Sequence, residues 1–80
     1  MEISVLFFGV LSEVTGMPGK IYNGIISYDD LRHRMEDDFP GIFNYNFRIA
    51  VNREIRDLKG TNPVLDDGDE IACLPPFAGG

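Results

Sequence analysis

Residues 27–41, SYDDLRHRMEDDFPG, carry the clearest helix signal in the chain and decide its fold class. Ser27 can cap the free backbone amides at a helix start, and the carboxylate of Asp30 favours the positive end of the helix. Apolar residues recur at one-turn spacing and give the predicted helix one buried face: Tyr28, Leu31 and Met35. Pro40 disfavours helical geometry in the residue before it, so the helix is predicted to end there.

The segments on both sides of this helix alternate like β-strands. Strands are predicted at residues 2–8, 20–27, 46–52, 54–56 and 70–76. Residues 9–19, GVLSEVTGMPG, are predicted to be a long loop that joins the first two strands in an antiparallel hairpin. The order predicts an α+β domain in which one helix crosses a mixed sheet of four to five strands.

Composition limits the function classes. With 80 residues, 44% of them hydrophobic, the chain can form one domain and one core but has little room for a deep cofactor cavity. A binding module or a subunit is therefore expected. The net charge of −6 disfavours nucleic acid and anionic membranes as partners and suits a basic protein surface. No membrane span or signal peptide is recognised, so a cytoplasmic location is expected.

Side chains that could perform chemistry are few. Cys73 is the only cysteine, which excludes an internal disulfide and a cysteine metal cluster, and its apolar strand predicts a packing role. The only histidine, His33, is predicted to be a solvated residue on the polar side of the helix. The acidic run Asp66–Glu70 lacks the spacing of a calcium loop and is interpreted as a tight turn, so no metal site is expected.

The outer strands have a second apolar face. If Ile3, Val5 and Phe7 point at the helix, then Leu6 and Phe8 point away from it. On the last strand Leu74 would share that far face, with Ile55 beside it. Grouped exposed apolar residues mark interaction sites. A docking patch and a patch covered by a loop are both consistent with the pattern.

The chain ends in PPFAGG, residues 75–80. Gly79 and Gly80 have no side chain, so any chemistry there uses the backbone and the terminal carboxylate. Glycine also allows an extended chain to enter a narrow channel. A carboxylate becomes an electrophile after ATP-dependent adenylation, and a sulfur nucleophile can then attack it. A flexible end or a cloning remnant would supply the same two glycines.

Residues 5–16, VLFFGVLSEVTG, and 65–80, LDDGDEIACLPPFAGG, closely resemble the MoaD family, the small subunits of molybdopterin synthase. The resemblance implies a β-grasp, ubiquitin-like fold whose first and last strands are parallel central neighbours. It implies a sulfur-carrier domain over residues 1–76 and a flexible tail over residues 77–80. Two positions depart from the family: Ser12 stands where arginine is common, and Cys73 where an aromatic residue is frequent.

The resemblance also implies a mechanism. A MoeB-like enzyme would use ATP to adenylate Gly80, and a sulfur donor protein would convert it to a thiocarboxylate. A MoaE-like large subunit would then accept the tail and pass the sulfur to a pterin precursor. Gly79 would permit passage, and Phe77 and Ala78 would line the channel. The expected docking patch is Phe8, Ile55 and Leu74.

In this interpretation the chain is a sulfur-donating subunit that binds no cofactor, and the active site lies on the large subunit. Two alternatives use other partners. One is a related carrier in thiazole, cysteine or tungsten-pterin pathways. The other is a non-catalytic ubiquitin-like or ferredoxin-like binding domain in which the two glycines are incidental.

Overall fold

A five-stranded mixed sheet with one long helix packed across it forms the frame of the chain. The structure, a computed structural model, describes residues 1–58 and 60–76. In chain order the elements are β1 (Ile3–Phe7), α1 (Val10–Thr15), β2 (Gly19–Tyr22), α2 (Tyr28–Asp38), a 3-10 turn (Ile42–Asn44), β3 (Arg48–Val51), β4 (Glu54–Arg56) and β5 (Glu70–Leu74). The strand order is β2-β1-β5-β3-β4. Because β1 and β5 are parallel central neighbours, the predicted α+β class and β-grasp topology are confirmed.

Helix α2 begins at the predicted cap. The Ser27 hydroxyl oxygen accepts a hydrogen bond of 3.1 Å from the backbone N–H of Asp30. In return the Asp30 carboxylate accepts one of 3.1 Å from the N–H of Ile26. This reciprocal pair satisfies amides that have no partner within the helix. Three apolar residues at one-turn spacing are buried: Tyr28, Leu31 and Met35.

The core lies between α2 and the inner face of the sheet. Ile3, Val5 and Phe7 of β1 are buried, as alternation predicts. Ile71 and Cys73 of β5 are fully buried beside them. The Phe7 ring packs edge-on against Phe39, just after α2, with ring centroids 5.5 Å apart. These contacts fix which face of the sheet points inward, so the alternate residues point outward.

Residues 9–19 differ from the predicted loop because they contain the six-residue helix α1. Its start at Gly9 has no side-chain cap, so the sequence lacks the usual helix signal. Leu11 and Thr15, four residues apart, are buried, and the Thr15 hydroxyl donates to the Leu11 carbonyl at 2.9 Å. Strand β2 is also shorter than predicted and ends at Tyr22, before the turn at Gly24. The antiparallel pairing of β1 and β2 is confirmed.

The acidic run before β5 is a turn that joins three parts of the sheet. The Asp69 carboxylate accepts from the N–H of Asp66 at 2.8 Å and from the side chain of Asn52 at 2.9 Å. Asp67 accepts from the N–H of Glu2 at 2.7 Å, which ties the turn to the start of β1. These bonds confirm the structural interpretation of the run. Within residues 1–58 and 60–76, no three acidic, histidine or cysteine side chains group as a metal site.

Candidate functional site

The outer face of the sheet carries one row of apolar residues across four strands. Leu6 of β1 pairs with Ala72 of β5, Ala72 pairs with Ala50 of β3, and Ala50 pairs with Ile55 of β4. Directly paired residues point to the same side of a sheet. The two alanines are short and the flanking side chains are long, so the row is low in its middle and high at both ends.

This row forms the floor of a concavity of about 440 Å³, named here the docking concavity. Its lining residues are Leu6, Phe8, Ala50, Arg53, Ile55, Glu70, Ala72 and Leu74. Phe8 is 44% exposed and Ile55 is 51% exposed, although both are large and apolar. Arg53 and Glu70 place opposite charges at the rim. An apolar floor with a polar rim is the usual composition of a protein interface.

The three residues predicted as a docking patch, Phe8, Ile55 and Leu74, all line this concavity. Leu6 lines it too, on the far face that alternation assigned to it. Ala50 and Arg53 also line the concavity and were not predicted from the sequence. Alternation in β3 could have found Ala50, because its neighbours Ile49 and Val51 point the other way.

Arg53 reaches the rim because of the turn between β3 and β4. Asn52 and Arg53 form a two-residue connection, and both have positive φ, 50° and 71°. Two positive φ values in such a loop are typical of a type I′ turn, which matches the twist of the strands. Left-handed backbone is uncommon for arginine and costs free energy. The hairpin therefore places Arg53 in the lining of the docking concavity.

The chain leaves β5 along the edge of the docking concavity. The N–H of Phe8 donates to the Cys73 carbonyl at 3.3 Å, which extends the β1–β5 ladder past the end of β1. Pro75 then packs against Gly9, where a Cβ atom would lie 3.0 Å from the proline Cγ. The predicted tail residues Phe77, Ala78, Gly79 and Gly80 lie outside the described residues.

The Cys73 thiol is unsuited to carrying sulfur. The residue is fully buried, and desolvation raises the pKa of its thiol to about 12. Because the thiolate is the nucleophilic form, the group is inert at neutral pH, in line with the predicted packing role. His33 is exposed on α2 as predicted, away from the docking concavity. The described lining of the docking concavity contains no thiol, hydroxyl or imidazole group.

Ser12, one of the two departures from the family pattern, has a local structural contact. Its hydroxyl donates a hydrogen bond of 2.8 Å to the Gly9 carbonyl at the start of α1. The serine therefore supports the short helix that follows Phe8 and Gly9.

Among the residues that the structure describes, no helix combines the length and the apolar character that a membrane span needs.

Comparisons with known proteins cover nearly the whole chain. The sequence model of the ThiS family matches residues 5–80. The human molybdopterin synthase sulfur carrier subunit is 32% identical, over 99% of this chain and 94% of its own length. The small archaeal modifier protein 3 of Haloferax volcanii is 31% identical over the full length of both chains.

A solved structure has the same fold along the whole chain. It is a complex of subunits 1 and 2 of the molybdopterin-converting factor from Helicobacter pylori. The matching chain is 27% identical and superposes with a TM-score of 0.76 over all of both chains. The similarity therefore includes the face that carries the docking concavity.

Proposed function

Because the chain belongs to the ThiS family, whose sequence model matches it as far as residue 80, we propose that it is a sulfur carrier protein, the small subunit of a molybdopterin synthase. It works in the cytoplasm and carries sulfur on the carboxylate of Gly80. The relatives that carry the name of sulfur carrier subunit support this role over the whole length of the chain.

One observation carries the proposed chemistry. The chain has a single cysteine, and Cys73 is buried with a raised thiol pKa. A sulfur carrier of this sequence therefore needs another acceptor for sulfur, and a main-chain carboxylate is the group that the family pattern supplies. The carboxylate of Gly80 is therefore favoured over a cysteine thiol as the group that accepts sulfur.

The reaction proceeds in two balanced steps. A carboxylate oxygen of Gly80 attacks the α-phosphorus of ATP, which forms an acyl adenylate and releases pyrophosphate. A hydrosulfide equivalent from a sulfur donor protein then attacks the acyl carbon, the bond to AMP breaks, and AMP leaves. The product is a thiocarboxylate. The ATP site belongs to a MoeB-like activating enzyme, so this chain needs no bound cofactor.

The docking concavity holds the carrier on its partner. Phe8, Ile55 and Leu74 would receive apolar side chains of a MoaE-like large subunit, whose active site then receives Gly80. The chain leaves β5 beside Phe8 and Gly9, next to this concavity. Docking there would therefore bring the residues that follow Pro76 close to the partner. In this arrangement Phe77 and Ala78 line the partner's channel, and Gly79 passes its narrowest point.

Intact mass spectrometry tests the chemistry at Gly80. The purified chain, first verified to end at Gly80, is incubated with ATP, a MoeB-like enzyme and sulfide. We expect the mass change for one oxygen replaced by sulfur, located by fragmentation at Gly80. A variant with one residue added after Gly80 serves as the control and should remain unmodified. Modification of both proteins, or of neither, would contradict the proposal.

A second function is favoured by the full-length similarity to the archaeal modifier protein. A modifier would transfer its activated carboxylate to an amine of another protein and form an amide bond. The same incubation separates the two functions when sulfide is omitted and a lysate is added. Amide-linked adducts at Gly80 would support the modifier, whereas their absence together with a thiocarboxylate in the first incubation would support the carrier.

The acceptor of the sulfur is tested separately. With a large synthase subunit and a pterin precursor, the thiocarboxylate should return to a carboxylate as the pterin gains sulfur. Transfer to a thiazole or cysteine precursor in place of the pterin would identify one of the related carriers. A carrier of a tungsten-pterin pathway would give the same pterin product and differ only in the metal inserted later.

A further inference from the structure

A groove on the helix side of the sheet has no part in the proposed sulfur chemistry. It lies between α2, the segment that leads into β3, and the end of β4, and has a volume of about 730 Å³. We name it the arginine groove for the charged and aromatic residues that line it: Arg32, Phe43, Tyr45, Phe47, Arg48 and Arg56. The described lining residues of the docking concavity are all different from those of this groove.

The arginine groove reverses the charge of the rest of the protein. Its described lining contains three arginines and one carboxylate, Asp57, which gives a formal charge of +2. Since the chain carries −6 in total, the other residues carry −8. Among the residues that the structure describes, a salt bridge joins Lys20 to Asp38, outside the groove.

Aromatic rings organise one of the guanidinium groups. The Arg32 guanidinium carbon lies 4.7 Å from the centroid of the Phe43 ring. Phe43 in turn packs on Phe47, with centroids 5.7 Å apart. A guanidinium stacked on a ring keeps its N–H edge free for a planar oxyanion. Tyr45 adds an aromatic surface that is 44% exposed.

We propose that the arginine groove binds an acidic segment of a partner protein. Carboxylates of that segment pair with Arg32, Arg48 and Arg56, and an apolar side chain between them packs on the aromatic rings. A peptide with both kinds of side chain uses the charge and the exposed ring of Tyr45, whereas an inorganic anion uses the charge alone. This groove shares no described lining residue with the docking concavity, so the two surfaces can take different partners.

A titration followed by nuclear magnetic resonance tests this proposal without any sulfur chemistry. The probe is a capped hexapeptide of sequence Glu-Glu-Phe-Glu-Glu-Leu, added to the nitrogen-15-labelled full chain. We expect shifts of the backbone amides of Phe43, Tyr45 and Phe47, with those of Leu6 and Ala72 unchanged. The same peptide with glutamine for glutamate is expected to leave the groove amides unshifted.

Two single variants on the same helix make a matched pair. Arg32→Gln and Arg34→Gln remove the same charge from α2, but only Arg32 lines the groove. Because exposed ion pairs are weak, we expect Arg32→Gln to weaken the peptide about two- to fivefold and Arg34→Gln to have no effect. Adding Arg48→Gln and Arg56→Gln to Arg32→Gln should weaken it about tenfold or more.

Three results would overturn the proposal. Equal weakening by Arg32→Gln and Arg34→Gln would mean that total charge, and not the groove, governs binding. If the glutamine peptide binds as tightly as the glutamate peptide, the arginines do not recognise carboxylates. If inorganic phosphate shifts the same amides as strongly as the peptide does, the groove is a simple anion site and not a peptide site.

Discussion

Gly9 decides where the chain leaves the fold. Its φ is +55°, and a Cβ atom would approach the ring of Pro75 to 3.0 Å. A side chain at this position would therefore push the segment after β5 away from Phe8. The position of Pro75 therefore depends on a residue that has no side chain.

Gly9→Ala is expected to destabilise the protein by about 1–3 kcal/mol through backbone strain and the contact with Pro75. Gly16→Ala is the comparison for a positive φ without a close neighbour, because Gly16 lies in the left-handed helical region, with φ 74° and ψ 14°, and has open space around its missing Cβ. Chemical denaturation measures both losses. Equal losses of unfolding free energy would mean that the contact with Pro75 contributes nothing. In nuclear magnetic resonance spectra, only Gly9→Ala should shift the resonances of Leu74.

The Cys73 thiol makes the free energy of unfolding depend on pH in the alkaline range. Burial raises its thiol pKa from 9.0 to about 12, so the native state holds a proton that the unfolded state releases between these values. Stability from this group is complete below pH 9 and decreases as pH rises towards 12. Burial also raises the pKa of Tyr22 and Tyr28, which act in the same direction.

Cys73→Ala should therefore reduce the loss of unfolding free energy with pH by up to about 1.4 kcal/mol per pH unit over this range. Urea titrations at a series of alkaline pH values measure this slope. The small cavity of the variant lowers stability at every pH and does not alter the slope. An unchanged slope would mean that Cys73 does not titrate on unfolding as argued.

At the scale of single elements, α2 and α1 show how much a helix signal depends on its cap. Helix α2 has two side-chain hydrogen bonds at its N-terminal end, from Ser27 and Asp30, and sequence predicts its start. Helix α1 begins at Gly9 without a side-chain cap, and sequence predicts a loop. Its burial of Leu11 against the core stabilises it, and that contact exists only after folding.

Ser27→Ala is expected to lower the unfolding free energy by about 1 kcal/mol, because an amide at the start of α2 loses its acceptor. Ser27→Asp should retain most of the stability, since its carboxylate can accept the same bond and suits the positive helix end. Thermal and urea unfolding measure both variants. Equal losses in the two would contradict a capping role for this position.

At the scale of the whole molecule, the protein has two surfaces of opposite character. The apolar docking concavity lies on the outer face of the sheet, and the arginine groove lies between α2 and the strand ends that carry Arg48 and Arg56. Ile55 is the exposed end of the apolar row and contributes little to the core, being 51% exposed. A change there should act on binding more than on folding.

Ile55→Lys is expected to weaken binding of the large synthase subunit by at least about tenfold, because a charge would be buried against the apolar part of the interface. Val64→Lys is the control, since Val64 is 91% exposed and does not line the concavity. Isothermal titration calorimetry measures affinity, and urea unfolding verifies the fold. Equal affinity of the two variants would exclude Ile55 from the interface.

Much of the site could be predicted because β-strands alternate. Once Val5 and Phe7 are assigned to the core, Leu6 and Phe8 must face outward, and the same rule places Leu74. The same rule also places Ala50 on the outer face, but its role as the low point between Ala72 and Ile55 depends on the pairing of the strands. Arg53 could not be predicted by alternation, because the turn between β3 and β4 places it in the lining.

The sequence alone determined the position of α2, the five strand segments, the acidic turn and the inward and outward faces, because capping, alternation and turn chemistry act between residues close in the chain. The tertiary structure alone decided the contact of Pro75 with Gly9, the concave apolar row, the burial that raises the thiol pKa of Cys73 and the gathering of Arg32, Arg48 and Arg56. These features join residues that are distant in sequence. They depend on strand register and packing, which no local pattern specifies.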